Sequence, residues 1–171
     1  VFEGPPPSYR DLLALIASRI EAVPRYRQRL AFVPLGQGRP VWVDDADFEL
    51  EYHVRHTALP PPGGEIELKR LTGRLLSQQL DRDKPLWELW FVEGLGDNRF
   101  AIISKTHHCM VDGISGVDIA TVLMDADSHP SPPRAPKPWA PRPGPSQAEL
   151  LIDAAKTQLG RNPFKFVREA M

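Results

Sequence analysis

The stretch Trp87-Glu88-Leu89-Trp90-Phe91-Val92-Glu93-Gly94-Leu95, the triplet Gly96-Asp97-Asn98, and Arg99-Phe100-Ala101-Ile102-Ile103-Ser104-Lys105-Thr106 run without a break into His107-His108-Cys109-Met110-Val111-Asp112-Gly113. Aromatic and β-branched residues on both sides of a Gly-Asp-Asn turn predict two antiparallel strands, 87–95 and 99–106. The second strand delivers two histidines to its own end. Downstream, Ser115 is placed to cap a helix carrying Val117, Ala120, Val122 and Leu123. Upstream, Leu68, Leu71 and Leu75 mark one face of a helix over 65–80. Between Phe48 and Val54 apolar and polar residues alternate, which predicts a half-buried strand. Residues 30–34 and 40–44 read as two strands around Gly36-Gln37-Gly38. Near the start, Ser8 and Asp11 have capping-box spacing before Leu12, Leu13, Ile16 and Ile20, and Pro24 ends that helix. After residue 146, Leu150, Leu151, Ala154, Ala155 and Leu159 predict one more helix over 147–159. Helices interleaved with strands in this order predict a layered α/β (α+β) domain, a mixed sheet flanked by helices.

The 171 residues are 42% hydrophobic and 25% charged, with a formal net charge of -1. That length accommodates one domain with a real core. A balanced charge argues against nucleic acid as a partner, because phosphate neutralisation needs a basic surplus. No apolar run approaches the ~18 residues of a membrane span. The single cysteine, Cys109, excludes an intrachain disulfide and fits a reducing cytoplasm. Val1-Phe2-Glu3-Gly4-Pro5 has neither an initiator Met nor the pattern of a signal peptide. Eight of the 19 prolines fall between Pro130 and Pro145, a composition that forms neither helix nor central strand. The expected division is therefore a lobe over 1–127, a Pro-rich crossover over 128–146, and a helix over 147–171 leading onward. A chain cut at both ends is expected.

Adjacent side chains on an extended segment point to opposite faces, so His107 and His108 are not expected to share a metal ion. One imidazole is expected to be structural and the other to face a channel. Asp112 lies across a turn from the strand end, where a carboxylate anchors a cation or the turn amides, and Gly113 permits close backbone approach. Imidazole is the side chain whose unperturbed pKa suits a base near neutral pH. The plainer readings are a satisfied histidine pair, an ordinary Asp-Gly turn and a packed Cys109. The residues alone leave these open.

The run from His107 to Gly113 matches HHxxxDG at every fixed position and resembles the signature of coenzyme-A-dependent acyltransferases. That group includes chloramphenicol acetyltransferase, carnitine acyltransferases and peptide-synthetase condensation domains. Pro85-Leu86-Trp87-Glu88 with Val92-Glu93-Gly94-Leu95 resembles the PLW region of bacterial wax ester synthase/diacylglycerol acyltransferases. The stretch from Asp47 to His56, ending at Leu59-Pro60, is similar to that family too.

The resemblance implies one chloramphenicol-acetyltransferase-like lobe of a two-lobed enzyme, with the active site in a tunnel between the lobes. It implies transfer of a fatty acyl group from acyl-CoA, a co-substrate, to the hydroxyl of diacylglycerol or a long-chain alcohol. No resident cofactor and no metal are implied. His108 would be the general base, with His107, Asp112 and Gly113 organising the motif. Pro85, Leu86 and Trp87 would shape the tunnel and substrate access, although a core aromatic is the plainer reading of Trp87. His53 and His56 are expected at the surface or in hydrogen bonds. Implied partners are acyl-CoA, the lipid alcohol and the C-terminal lobe. Implied too is a cytoplasmic location, peripherally on the inner membrane or lipid inclusions. The last helix, with Lys156, Arg161, Lys165 and Arg168 beside Phe164, Phe166 and Val167, suits a lipid surface or packing on the second lobe. A condensation domain, a non-catalytic lipid- or partner-binding lobe and a metal-dependent hydrolase are the competing readings.

Overall fold

A computed structural model describes residues 1–110, 135 and 137–160. Four strands form a mixed sheet: β1 (Phe2–Glu3), β4 (Val54–Ala58), β5 (Trp87–Leu95) and β6 (Arg99–Thr106), in the order β1-β6-β5-β4. β5 pairs antiparallel with β6 and parallel with β4. The helix α1 (Tyr9–Arg19) covers one face and α3 (Glu65–Ser77) covers the other. A separate hairpin of β2 (Gln28–Ala31) and β3 (Val41–Asp44) lies apart from this sheet. The last described helix is α4 (Gln147–Gly160).

Burial on both faces explains the nearly continuous apolar run of β5. Leu89 and Phe91 pack with Leu12, Ile16 and Val54 toward α1, while Val92 packs with Leu71, Leu75 and Ile103 toward α3. Ser8 caps α1 by accepting from the Asp11 amide at 3.1 Å, as its spacing predicts. At the other end of the α3 layer, Lys105 donates from Nζ to the Leu75 carbonyl at 2.9 Å and to that of Gln78. A cation there satisfies carbonyls that the helix end leaves without partners.

The expected strand over 48–54 is not what forms. Leu50–His53 make one helical turn, α2, and the strand begins only at Val54. The turn stacks His53 on Phe48 and lets Val54 enter the sheet in parallel register beside Leu89. Tertiary burial of His53 and Val54 outweighs the local alternation. The hairpin strands are shorter than 30–34 and 40–44; the first is shifted toward the N-terminus and the second begins one residue later, so a long loop, 32–40, joins them.

The Pro-rich segment, where described, lies along the β2–β3 hairpin. Lys137 pairs with Glu21 at 3.2 Å, and Trp139 donates from Nε1 to the Asp45 carbonyl at 2.7 Å beneath the Arg27 guanidinium. Arg142 grips Asp44 with its amide, Nε and Nη2 at 3.0, 3.0 and 3.1 Å, and Gln28 adds a fourth donor at 2.9 Å. The Arg142 guanidinium, with Gln28, holds the Asp44 carboxyl well below the usual carboxylate range. The segment's described residues before 147 form neither helix nor strand, in keeping with their prolines, and they are tied down at Lys137, Trp139 and Arg142. The helix expected after Ser115, the rest of 128–134 and residues 161–171 lie outside the described residues.

Two glycines cross where β5 bends. Gly94 adopts φ +79° at the register shift between Val92 and Leu95, and a Cβ there would sit 2.9 Å from the Leu59 carbonyl oxygen. Gly63, at φ +70°, would drive a Cβ into the Gly94 carbonyl. Gly73, by contrast, stands in the exposed interior of α3 with open space around it. In urea unfolding, Gly63→Ala is expected to lose about 1–3 kcal/mol, whereas Gly73→Ala gains about 0.5–1 kcal/mol. Equal effects at the two positions would contradict this geometry.

Candidate active site

β5 and β6 are in register from Trp87–Thr106 to Val92–Ala101, so the end of the Pro85-Leu86-Trp87 segment lies directly beside the end of β6. One residue further, the His107 amide donates to the Leu86 carbonyl at 2.9 Å. The ladder thus fixes where the histidines leave the sheet. β6 stops at Thr106, and His108–Met110 form a 3-10 turn closed by the Met110 amide on the His107 carbonyl at 2.9 Å. The extended geometry assumed for the pair therefore ends before His108. Both imidazoles are exposed, where one was expected in the core. The difference is a turn in place of strand alternation.

His107 has a definite local task. Its Nδ1 accepts the Cys109 amide at 3.2 Å. The neutral ring consequently carries its proton on Nε2. Cys109 is exposed rather than packed, and the Arg25 guanidinium is near enough to interact with it electrostatically. Arg25 lies 4.3 Å over the Trp42 ring, with Nη1 buried and unpartnered among the described residues. Burial lowers the Arg25 pKa, and the neighbouring Cys109 sulfur offsets part of the effect. No pattern in the sequence marks Arg25, because its proximity to the turn is purely tertiary. Asp112 and Gly113 lie outside the described residues.

Next to His107 a cleft of about 480 Å³ opens between the end of α3 and the end of β6, lined by Leu76, Leu80, Arg82, Leu86, Ser104 and Thr106. The Thr106 hydroxyl is buried and has no partner among the described residues. All three PLW residues are buried, and of them only Leu86 lines this cleft. Trp87 donates its indole N–H to the Tyr26 carbonyl at 2.8 Å, stacks on His53 at 4.7 Å and meets Tyr26 edge-on.

His53 is 1% exposed and not at the surface; it does hydrogen-bond, donating from Nδ1 to the Trp87 carbonyl at 2.8 Å. Its Nε2 is buried with no partner among the described residues. His56, in contrast, is exposed and pairs with Glu93. Among the described residues no group of three His, Cys, Asp or Glu side chains is arranged to hold a metal. No helix among them is long and apolar enough to cross a membrane.

A mixed sheet between helical layers, with HHxxxDG at a strand end, defines a lobe of the HHxxxDG acyltransferase kind. The chain belongs to the wax ester synthase/diacylglycerol acyltransferase family, whose catalytic-domain model matches residues 2–169. It is 42% identical over 155 residues to a probable diacylglycerol O-acyltransferase, tgs3, of Mycobacterium tuberculosis, covering 90% of this chain and 56% of that protein. A second M. tuberculosis relative, the probable diacylglycerol O-acyltransferase tgs1, is 46% identical over 125 residues, covering 73% of this chain and 27% of its own length. Among solved structures, the wax ester synthase/diacylglycerol acyltransferase of Marinobacter aquaeolei VT8 superposes with a TM-score of 0.51 at 39% identity, over 67% of this chain and 28% of that one. The chain thus spans between about a quarter and just over half of the length of these relatives.

Burial pushes the His53 pKa down, partly offset by the Trp87 carbonyl, Asp45 and Glu88, while Lys84 adds to the lowering. The unfolded chain then binds the proton more readily than the folded one. Stability from the neutral ring is complete above the unfolded value of about 6.5 and is lost as pH falls through the lower folded value. Thermal unfolding midpoints of the wild type are expected to drop on acidification below that point. His53→Phe, which keeps the stack and cannot titrate, should lack this part of the drop; an identical pH dependence would contradict the assignment.

Proposed function

We propose that the chain is the histidine-bearing lobe of an acyl-CoA-dependent O-acyltransferase acting on diacylglycerol or a long-chain alcohol. The observation that carries this reading is the HHxxxDG motif at the end of β6, its first residue tied by its amide to Leu86 beside an open cleft. Family membership and the names of the relatives support the substrate class.

In this reading His108 accepts the acceptor hydroxyl proton as its oxygen attacks the thioester carbonyl. The C–O bond forms and a tetrahedral oxyanion results. Collapse breaks the C–S bond, and the imidazolium returns its proton to the departing thiolate, leaving an ester and free CoA. No covalent acyl-enzyme is required, so Cys109 is not the nucleophile. His107 shapes the turn that carries His108. Asp112 acts as an organiser and Gly113 keeps the turn close. Leu86 borders the substrate path, while Pro85 and Trp87 hold its wall from behind.

A second lobe, from the part of the family's length not spanned here, closes the tunnel. Orienting two substrates in such a tunnel supplies much of the rate beyond proton transfer. The acceptors are membrane lipids, so the enzyme works peripherally at the inner membrane or at lipid inclusions.

Thiol release from palmitoyl-CoA, with and without diacylglycerol or hexadecanol, tests this on the full-length enzyme. His108→Ala is expected to lower acceptor-dependent release by about 10²–10⁴-fold. The better acceptor names the substrate. Release unchanged by the substitution would remove His108 from the chemistry, and no release from free acyl-CoA would favour a carrier-linked or non-catalytic role.

A further inference from the structure

Lys105 lines the cleft beside His107, and its ammonium is fixed in place there. Two of its three N–H groups are spent on the Leu75 and Gln78 carbonyls at the end of α3. Those bonds immobilise a head group that an ordinary lysine carries on a flexible stem. Lys105 and His107 are two residues apart at the end of β6, where alternate side chains share a face, and both line the cleft. No carboxylate lines it among the described residues. Glu88 stands opposite Lys105 in the β5–β6 register, yet it accepts the Trp90 indole N–H at 3.0 Å and lies 3.8 Å from Arg55. Asp81 accepts the Asp83 amide at 2.9 Å, and neither of those residues belongs to the cleft wall.

The rest of the wall divides by chemistry. Leu76, Leu80 and Leu86 supply apolar surface, while Gln78, Gln79 and Ser104 supply groups that both donate and accept hydrogen bonds. A plain alkyl chain laid here would strip water from the ammonium and the amides and return no hydrogen bond. A ligand that alternates short aliphatic pieces with amides satisfies both kinds of surface. The cleft, at about 480 Å³, has the size of a small-molecule site. Of the substrates in the proposed reaction, only acyl-CoA carries such a segment, the pantetheine arm. Its amides also lie within a few bonds of the thioester, which suits a wall that ends at His107.

We infer that the cleft between α3 and β6 seats the pantetheine arm of acyl-CoA, and that the third N–H of Lys105 donates to the amide carbonyl nearest the sulfur. Lys105 is thereby a substrate-selecting residue, which admits the thioester donor to this side of the motif turn in preference to a lipid tail. A donor already held by two bonds loses little freedom on binding. The inference deepens the proposed function and rests on acyl-CoA being the donor.

Calorimetric titration of the full-length protein with free CoA and with pantetheine, alongside palmitoyl transfer to hexadecanol, tests it. Lys105→Met keeps the stem and removes the donor. It is expected to weaken CoA and pantetheine alike by about 10-fold, to raise the KM for palmitoyl-CoA in step, and to leave the KM for hexadecanol unchanged. Gln79→Leu alters an exposed side chain and keeps the fold. It should act in the same direction by about 3-fold with Tm unchanged, and it carries the test alone if Lys105→Met loosens the end of α3. Wild-type affinity for CoA and pantetheine in Gln79→Leu would overturn the inference. So would a lowered KM for hexadecanol in that variant, which would mean that the lipid occupies the cleft. A wild type that binds CoA and transfers no acyl group would contradict the catalytic proposal alone.

Discussion

Enclosure of Trp87 is the constraint on which the rest of the lobe depends. The side chain is fully buried, and its indole N–H is satisfied by the Tyr26 carbonyl just ahead of the β2–β3 hairpin. Its carbonyl receives the buried His53 ring at the start of β4, and its ring stacks on the same imidazole. A large aromatic gains most from burial when its polar atom finds a partner. Here one residue ties two segments distant in sequence, those of Tyr26 and His53, to the first position of β5. The neighbouring Leu86 carbonyl then takes the His107 amide, so the motif leaves the sheet at a point fixed by the core.

This arrangement gives the Pro85-Leu86-Trp87 segment a physical role distinct from touching substrate. All three lie inside, and only Leu86 borders the cleft beside His107. Such a residue acts through position, by fixing a strand end to within a hydrogen-bond length. The same logic covers His107, whose Nδ1 caps the turn that carries His108.

Much of the fold is legible in the sequence because its strongest signals are local. The strands 87–95 and 99–106 are found with the expected bounds, as both are apolar runs closed by a turn. The starts of α3 and α4 are found as well, and the structure ends α3 at Ser77, three residues before the expected 80. Alternation over 48–54 misleads, since the turn buries His53, which the alternation counts among the polar, solvent-facing positions. The HHxxxDG pattern marks the site, but not the turn that begins at His108. Arg25 beside Cys109 and the Leu86 carbonyl are invisible in sequence, because a backbone acceptor and a tertiary neighbour leave no local pattern. The Pro-rich segment, where described, is readable as neither helix nor strand, while its grip on Asp44 and Asp45 depends on partners almost a hundred residues away.

Amide hydrogen exchange at His107 measures the central link most directly. If the core fixes the motif through the Leu86 carbonyl, the His107 amide exchanges with the protection of β6 and far more slowly than the Asp97–Asn98 tip. Exchange at His107 as fast as at that tip would mean that the motif is held from outside the sheet, and would contradict the account.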